Sequence, residues 1–301
     1  MFLEKKYIKK INKNAFSIIE ISVVLLIISV MVAGIATGRS MITKSRLTNA
    51  KSLTQKSVIN EMGNDLIAWY ETSLESSFLP SEAKTDGSLI TVWKDSNKSA
   101  ITKNDAKIGV SPTLVQNVFY NSIPGLRFTG TQYLNFNGSK FAKNSYTVFV
   151  VEQRSSAKEP NYFISSKNNL GSQYKNTRLT FGYILNGTII FSHYYNSVDF
   201  PVITFKSLTP VIHTFSFNNS KGKEYFYNGK LLNVNSASIV DPSGQLNSLT
   251  SYDLASIGYS GGNGYYVGDL AEIIMFKRSL KTEEVEAIES YLGSKYGIPV
   301  S

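Results

Sequence analysis

Glu20 is the residue of this 301-residue chain with the most definite chemistry, because it is the lone carboxylate inside an apolar run from Phe16 to Gly38. Held within a membrane-spanning helix, a carboxylate costs about 2.5–3.5 kcal/mol on insertion scales, so it calls for a positive partner. Cutting the bond between Ala15 and Phe16 would create one, the new α-amino group of Phe16. Other reactive residue types are scarce. Cysteine is absent, which excludes thiol catalysis, disulfides and cysteine zinc sites. The two histidines, His193 and His213, belong to no ligand-spaced motif such as HExxH. His213 sits in the alternating segment VIHTFSF and is expected to be structural.

Carboxylate pairs are the next candidates. Retaining glycoside hydrolysis needs two of them roughly 5 Å apart. Asp269 and Glu272 come nearest, but they are three apart on an expected strand, and strict alternation would point them to opposite faces. The chain is therefore expected not to be an enzyme. Glu283, Glu284, Glu286 and Glu289 fall on an expected C-terminal helix and are read as complements of its dipole. Two aromatic pairs, Tyr194–Tyr195 and Tyr265–Tyr266, could stack on sugar rings; tyrosine pairs in β proteins also serve as core or cross-strand packing. Asp95 and Asn97 are calcium candidates without supporting spacing, as are Asp241, Asp253 and Asp269. A calcium ion needs six to eight oxygens, and such residues more often bond their own turns. No other cofactor is expected.

Elements to position these groups can be read from periodicity. At 1.5 Å per residue the stretch Phe16–Gly38 forms a helix of about 34 Å, enough for a hydrocarbon layer of ~30 Å. Lys5, Lys6, Lys9, Lys10 and Lys13 precede it against Glu4 alone, which keeps residues 1–15 cytoplasmic by the positive-inside rule. A secretory signal has its small-residue cleavage site behind the apolar core, whereas Ala15 lies in front. Ile42, Leu47, Ala50, Leu53 and Val58 predict that an amphipathic helix continues to about Met62, with Gly63, Asn64 and Asp65 as its stop.

This combination of basic leader, small residue, Phe16, Glu20 as fifth residue after the cut, and uninterrupted helix resembles the N-terminal region of type IV prepilins and pseudopilins. The family usually has Gly where this chain has Ala15. The resemblance implies removal of 1–15 by a prepilin peptidase, N-methylation of Phe16 and assembly through Glu20 with other pilin or pseudopilin subunits. It also implies a single-pass protein of the bacterial inner membrane, with lipid around 16–38 and a periplasmic head that reaches the cell surface after assembly.

Of the net charge of +9, +4 lies in the leader and +5 in the remainder, a mild excess without a dense basic patch, so nucleic acid is not an expected partner. From Gly63 onward, short Tyr, Phe, Val, Ile and Thr segments alternate with turn residues, as in an all-β domain. Asn137-Gly138, Asn186-Gly187 and Asn228-Gly229 predict three type I′ hairpins. Thr147–Glu152 predicts a buried central strand. Val285, Ile288 and Leu292 predict a closing helix capped by Thr282 and ended by Gly293.

The ordered segments DLIAWYE (Asp65–Glu71), ITVWKDSN (Ile90–Asn97), GLRFTGTQYL (Gly125–Leu134), YTVFVVEQR (Tyr146–Arg154), FYNGKLL (Phe226–Leu232) and GDLAEIIMFKRSLKTEEVEAIESYLGSKYGI (Gly268–Ile298) resemble laminin-G-like domains. These belong to the concanavalin A-like lectin/glucanase superfamily. The implied architecture is a long N-terminal helix over 16–62 and a jelly-roll sandwich over 64–301 with a short C-terminal helix. The expected function is a pilin-like or minor pilin subunit displaying a head that binds a glycan or protein. Two alternatives stand beside it: a pseudopilin of a type II secretion system, and an anchored carbohydrate-binding or hydrolase-like surface protein that never assembles.

Overall fold

The computed structural model describes residues 17–83, 85–166, 175–201, 203–233, 247–250, 254–261 and 264–301. Two compact units divide the chain, Met1–Lys44 and Ser45–Ser301. The first helix, α1, spans Ile18–Gln55. Strands β1 (Leu66–Glu71), β2 (Val92–Trp93), β3 (Ala106–Val110), β4 (Thr113–Phe119), β5 (Ile123–Thr129), β6 (Tyr133–Asn137) and β7 (Tyr146–Arg154) follow. Next come β8 (Asn161–Ser166), β9 (Leu179–Tyr183), β10 (Ile189–His193), β11 (Ser197–Phe200), β12 (Val211–Asn218), β13 (Gly222–Tyr227) and β14 (Lys230–Leu232). The chain closes with β15 (Leu254–Ile257), β16 (Tyr259–Ser260), β17 (Gly264–Tyr265), β18 (Val267–Phe276) and α2 (Thr282–Tyr296).

In the first unit, α1 exposes its apolar side chains from Ile18 to Ile35, and the helix is long and apolar enough to cross a membrane. In the second unit the helix stops at Gln55 instead of running to Met62. Short polar side chains compete for its last carbonyls: Asn60 Nδ2 donates to the carbonyls of Thr54, Gln55 and Ser57 at 3.1, 3.2 and 3.1 Å. Ser57 Oγ, in turn, accepts from the Ile59 N–H at 3.2 Å and starts a separate short turn.

The second unit is a sandwich of two antiparallel eight-stranded sheets. One sheet runs β14-β13-β12-β7-β18-β5-β4, with β1 also paired to β18; the other runs β11-β10-β9-β8-β15-β6-β3-β2. As predicted, Thr147–Glu152 lies in a central strand, and every residue of β7 is buried. Between the sheets lies an aromatic core in which Phe181 stacks on Phe215 at 4.2 Å. A second cluster fills the opposite face of the first sheet, where Ala50 of α1 and Val285, Ile288 and Leu292 of α2 meet Trp69, Phe149 and Ile274. The second sheet alternates instead: in β11, Val198 and Phe200 enter the core while Ser197 and Asp199 are half-buried on the outside.

Several local predictions shift. Only Asn228-Gly229 forms the expected two-residue turn, with φ of 49° and 83° between the paired Tyr227 and Lys230. Leu185–Gly187 instead form a short 3₁₀ turn between β9 and β10, and Asn137-Gly138 ends a strand whose successor belongs to the other sheet. At α2 the cap is Lys281, whose N–H is held by Glu284 Oε2 at 2.8 Å, and the helix passes Gly293 to end at Gly297 with φ 66°. Gly293 serves close packing: a Cβ there would meet the Ile298 carbonyl at 2.8 Å. Arg278 forks onto Glu284 at 2.7 and 2.8 Å, which holds that carboxyl down to about 2. Glu289 departs from the expected dipole role, since it is buried against the sheet with Thr214 Oγ1 donating to it at 2.6 Å.

Candidate functional site

The outer face of the second sheet carries a groove of about 320 Å³. It is lined by Tyr162 of β8, Thr180 of β9, Ile190 and Ser192 of β10, Ser197 of β11, and by Arg178, Tyr194 and Tyr195. Strand alternation puts these side chains outside, because Phe163, Leu179, Phe181, Ile189 and Phe191 take the core. Tyr162 is seated by two glycines. A Cβ on Gly264 would meet its ring at 2.3 Å, and one on Gly182 would meet it at 3.1 Å, so the ring rests against bare backbone. Burial raises the Tyr162 phenol, with Arg178 opposing, so it stays protonated as a donor. Asp199 faces outward opposite Ile190, and burial raises its carboxyl too.

Tyr194 and Tyr195 form the turn that joins β10 to β11. Ser192 pairs with Ser197, and the His193 N–H reaches the Asn196 carbonyl at 3.0 Å, leaving a two-residue loop. Both loop residues have positive φ, 27° and 64°. This is the conformation that Asn-Gly normally fills, and for bulky side chains it is strained by about 1–2 kcal/mol per residue. Asn176 braces the loop from outside, its N–H shared between the carbonyls of His193 and Tyr194 at 3.2 and 3.0 Å. The two rings meet edge to face at 4.8 Å, and Arg178 lies over the Tyr194 ring at 4.4 Å. Tyr195 remains 48% exposed.

The structure treats the other candidates differently. Tyr266 is fully buried, and its hydroxyl donates to Glu152 Oε2 at 2.5 Å, so it cannot reach a sugar. Its neighbour Tyr265 is half-buried, its ring packed against Tyr259 at 4.6 Å. Asp95 is committed to backbone: Oδ1 accepts from Trp69 N and Asn97 N, both at 3.0 Å, and Oδ2 from Asn104 N at 3.2 Å. Asn97 Oδ1 likewise accepts from Ser99 N at 3.0 Å, which leaves both residues as turn formers and not as a cation cradle. Glu20 Oε2 accepts the Ser17 N–H at 2.8 Å in the first turn of α1. Ala15, Phe16, Asp241 and Asp253 lie outside the described residues.

His213 is buried between the sheets, with Nε2 3.1 Å from Glu152 Oε1 and Nδ1 2.7 Å from the Tyr225 hydroxyl. Burial lowers its pKa against the opposing pull of Glu152, consistent with a structural role. Sequence reasoning missed Tyr162 and Arg178. Alternation in NYFISS singles out Tyr162 as the outward partner of Phe163, but nothing local brings it to Tyr194.

No family model and no curated protein matches the chain. Solved structures do. An α-L-arabinofuranosidase shares a TM-score of 0.57 at 11% identity, over 79% of this chain and 64% of that one. Trypanosoma rangeli sialidase shares 0.52 at 13% identity, over 79% and 34%. A botulinum neurotoxin type C structure, described by its interaction with two ganglioside molecules, shares 0.50 at 11%, over 77% and 52%. The likeness is one of fold. The chain spans between a third and two thirds of these neighbours' lengths.

The expectation of a non-enzymatic head is corrected by these neighbours, because two of the proteins that share the fold are a sialidase and an arabinofuranosidase. Asp269 and Glu272 also do not point to opposite faces. A bulge between Leu270 and Glu272 interrupts the alternation of β18. Asp269 and Glu272 consequently share the helix-covered face, Asp269 with Arg127 and Gln153, Glu272 with Trp69 and Lys295.

Proposed function

We propose that this chain is a type IV pilin-like subunit, anchored and assembled through its N-terminal helix, whose laminin-G-like head binds glycans in the tyrosine groove. The observation that carries the binding half is the Tyr194–Tyr195 turn, where two bulky residues occupy left-handed backbone over an open groove. Strain of this kind persists where a side chain is needed in place. Aromatic rings offer flat apolar surface to the C–H face of a sugar, while Arg178, Thr180, Ser192 and Ser197 offer hydrogen-bonding groups to its hydroxyls. The assembly half rests on the leader, the Ala15–Phe16 bond and Glu20.

Two measurements test the proposal. Intact mass of protein purified from membranes should correspond to a chain beginning at Phe16 with one added methyl group; a chain beginning at Met1 would end the pilin reading. A glycan array probed with full-length protein in detergent should give hits that vanish for the Tyr194→Ala/Tyr195→Ala variant and weaken for Tyr162→Ala. A silent array, or hits unchanged by these substitutions, would end the groove reading. The fold is shared with glycosidases, so retained glycans should also be examined for cleavage.

A further inference from the structure

The groove continues along the sheet. Tyr162 rests against Gly264, and the ring of the next residue, Tyr265, packs against Tyr259 at 4.6 Å, tilted by 38°. Tyr259 packs in turn against Tyr133 of β6 at 5.1 Å, tilted by 34°. Tyr133 faces outward, since its neighbour Leu134 is in the core, and it lies across β3 where Gly109 leaves room: a Cβ there would fall 1.9 Å from the ring. Tyr133, Tyr162, Tyr194, Tyr259 and Tyr265 are half-buried, and Tyr195 is exposed. A row of tyrosines thus crosses the strands from the β10–β11 turn to β6. The path β10-β9-β8-β15-β6 covers four strand spacings of about 4.8 Å, roughly 19 Å in all. That length exceeds one sugar ring and suits several in line.

Positive charge flanks the row. Arg178 stands at one end of the row. At the other, exposed Lys107 of β3 pairs with Asn135, on the same face as Tyr133. Between them, buried hydroxyls brace the sheet beneath the row: Ser256 donates to Asn135 Oδ1 at 2.8 Å, and Ser165 pairs with Thr180 at 2.8 Å. Asp199 is a half-buried carboxylate beside the groove, and burial raises its pKa. Two separated cations flanking a row of partly exposed tyrosines complement a chain of sugar rings bearing spaced negative charges. They fall short of the dense cationic track that a nucleic-acid backbone requires.

Building on the groove reading, we infer that the ligand is an extended acidic polysaccharide, bound across the strands with carboxylates toward Arg178 and Lys107. Its rings lie along the tyrosine row from Tyr194 to Tyr133. A terminal monosaccharide would use only the Tyr162–Tyr195 end. The far end therefore provides the test.

Full-length protein in detergent micelles would be titrated with oligogalacturonates and hyaluronan oligosaccharides from disaccharide to octasaccharide. Carboxyl-reduced octasaccharides and a single-stranded DNA oligonucleotide serve as controls. Affinity should rise at least about tenfold with length. Tyr133→Ala and Lys107→Gln should each remove most of that gain while leaving disaccharide binding and thermal stability near the parent values. Carboxyl reduction should weaken the octasaccharide about tenfold. Length-independent binding, or parental octasaccharide affinity in both variants, would overturn the extended-ligand inference. Tighter binding to the oligonucleotide would overturn the choice of glycan. Failure of both acidic series would overturn this inference while leaving the groove reading intact, provided the array still gives hits that depend on Tyr194 and Tyr195.

Discussion

Lys295 Nζ lies 2.8 Å from Glu272 Oε2 and 3.3 Å from Glu71 Oε2, and all three side chains are sealed from solvent between the first sheet and α2. One ammonium serves two carboxylates here. The balance comes from neutral donors: Trp69 Nε1, Tyr291 and Tyr296 to Glu272 at 2.7, 2.9 and 2.8 Å, and Ser73, Leu74 and Ser77 to Glu71. Thr54, near the end of α1, joins the same network through its hydroxyl, 3.3 Å from Tyr291. The network therefore ties α2, β1, β18 and the last turn of α1 together.

Lys295→Met removes the only ammonium in that network and leaves two buried carboxylates facing each other. Breaking a buried ion pair by removing one partner costs about 3–5 kcal/mol. Urea unfolding of the variant should show a loss of this size, and adding Glu71→Gln and Glu272→Gln should recover part of it. An unchanged midpoint for Lys295→Met would show that the cluster contributes nothing to stability.

Replacing Tyr194-Tyr195 with Asn-Gly should stabilise the protein by about 1–3 kcal/mol, because it substitutes residues suited to positive φ for two that are strained there. The same change should abolish glycan retention. Thermal unfolding and the array together check this opposition. A lower melting temperature would mean that the rings support the turn more than its backbone strains them.

Lys223 is buried, and its Nζ has no hydrogen-bond partner among the described residues, with the rings of Phe191 and Phe217 each 5.7 Å away. Burial lowers its amine from 10.5 to about 7. Between those values the unfolded chain binds more protons than the folded one, so stability rises with pH through that window, by up to about 1.4 kcal/mol per unit. Lys223→Met should abolish this contribution and stabilise most at pH 7 and below. His193, which Lys223 and burial together hold low, should become easier to protonate in the variant. Parallel stability–pH curves for parent and variant would contradict the assignment.

Glu20→Ala should reach the membrane as well as the parent, since an apolar residue is cheaper in a spanning helix, and its head should fold normally. The variant loses the acceptor for the Ser17 N–H and, under the pilin proposal, the partner for a neighbouring subunit's Phe16 amine. It should co-purify poorly with filaments at matched membrane levels. Glu20→Gln separates the two roles, because it keeps an acceptor for the helix end and loses the charge. Wild-type incorporation of both variants would remove Glu20 from assembly.

Local patterns in the sequence determined the apolar run of α1, the buried strand β7, the Asn228-Gly229 turn and the apolar face of α2. Each depends on neighbours within a few residues, where 3.6- and 2-residue periodicity or a φ preference operates directly. Tyr194 and Tyr195 stood out as a pair, but their left-handed turn did not, because Asn-Gly is the signal for that turn and tyrosine opposes it. Tertiary structure alone decided that Tyr266 points inward to Glu152 while Tyr265 faces out, and that the bulge after Leu270 brings Asp269 and Glu272 to one face. It alone gathered Tyr162, Arg178 and Tyr194 into a groove. These outcomes depend on bulges and on which distant strands pair: one extra residue in a strand moves every later side chain to the other face, and simple alternation does not mark where it falls.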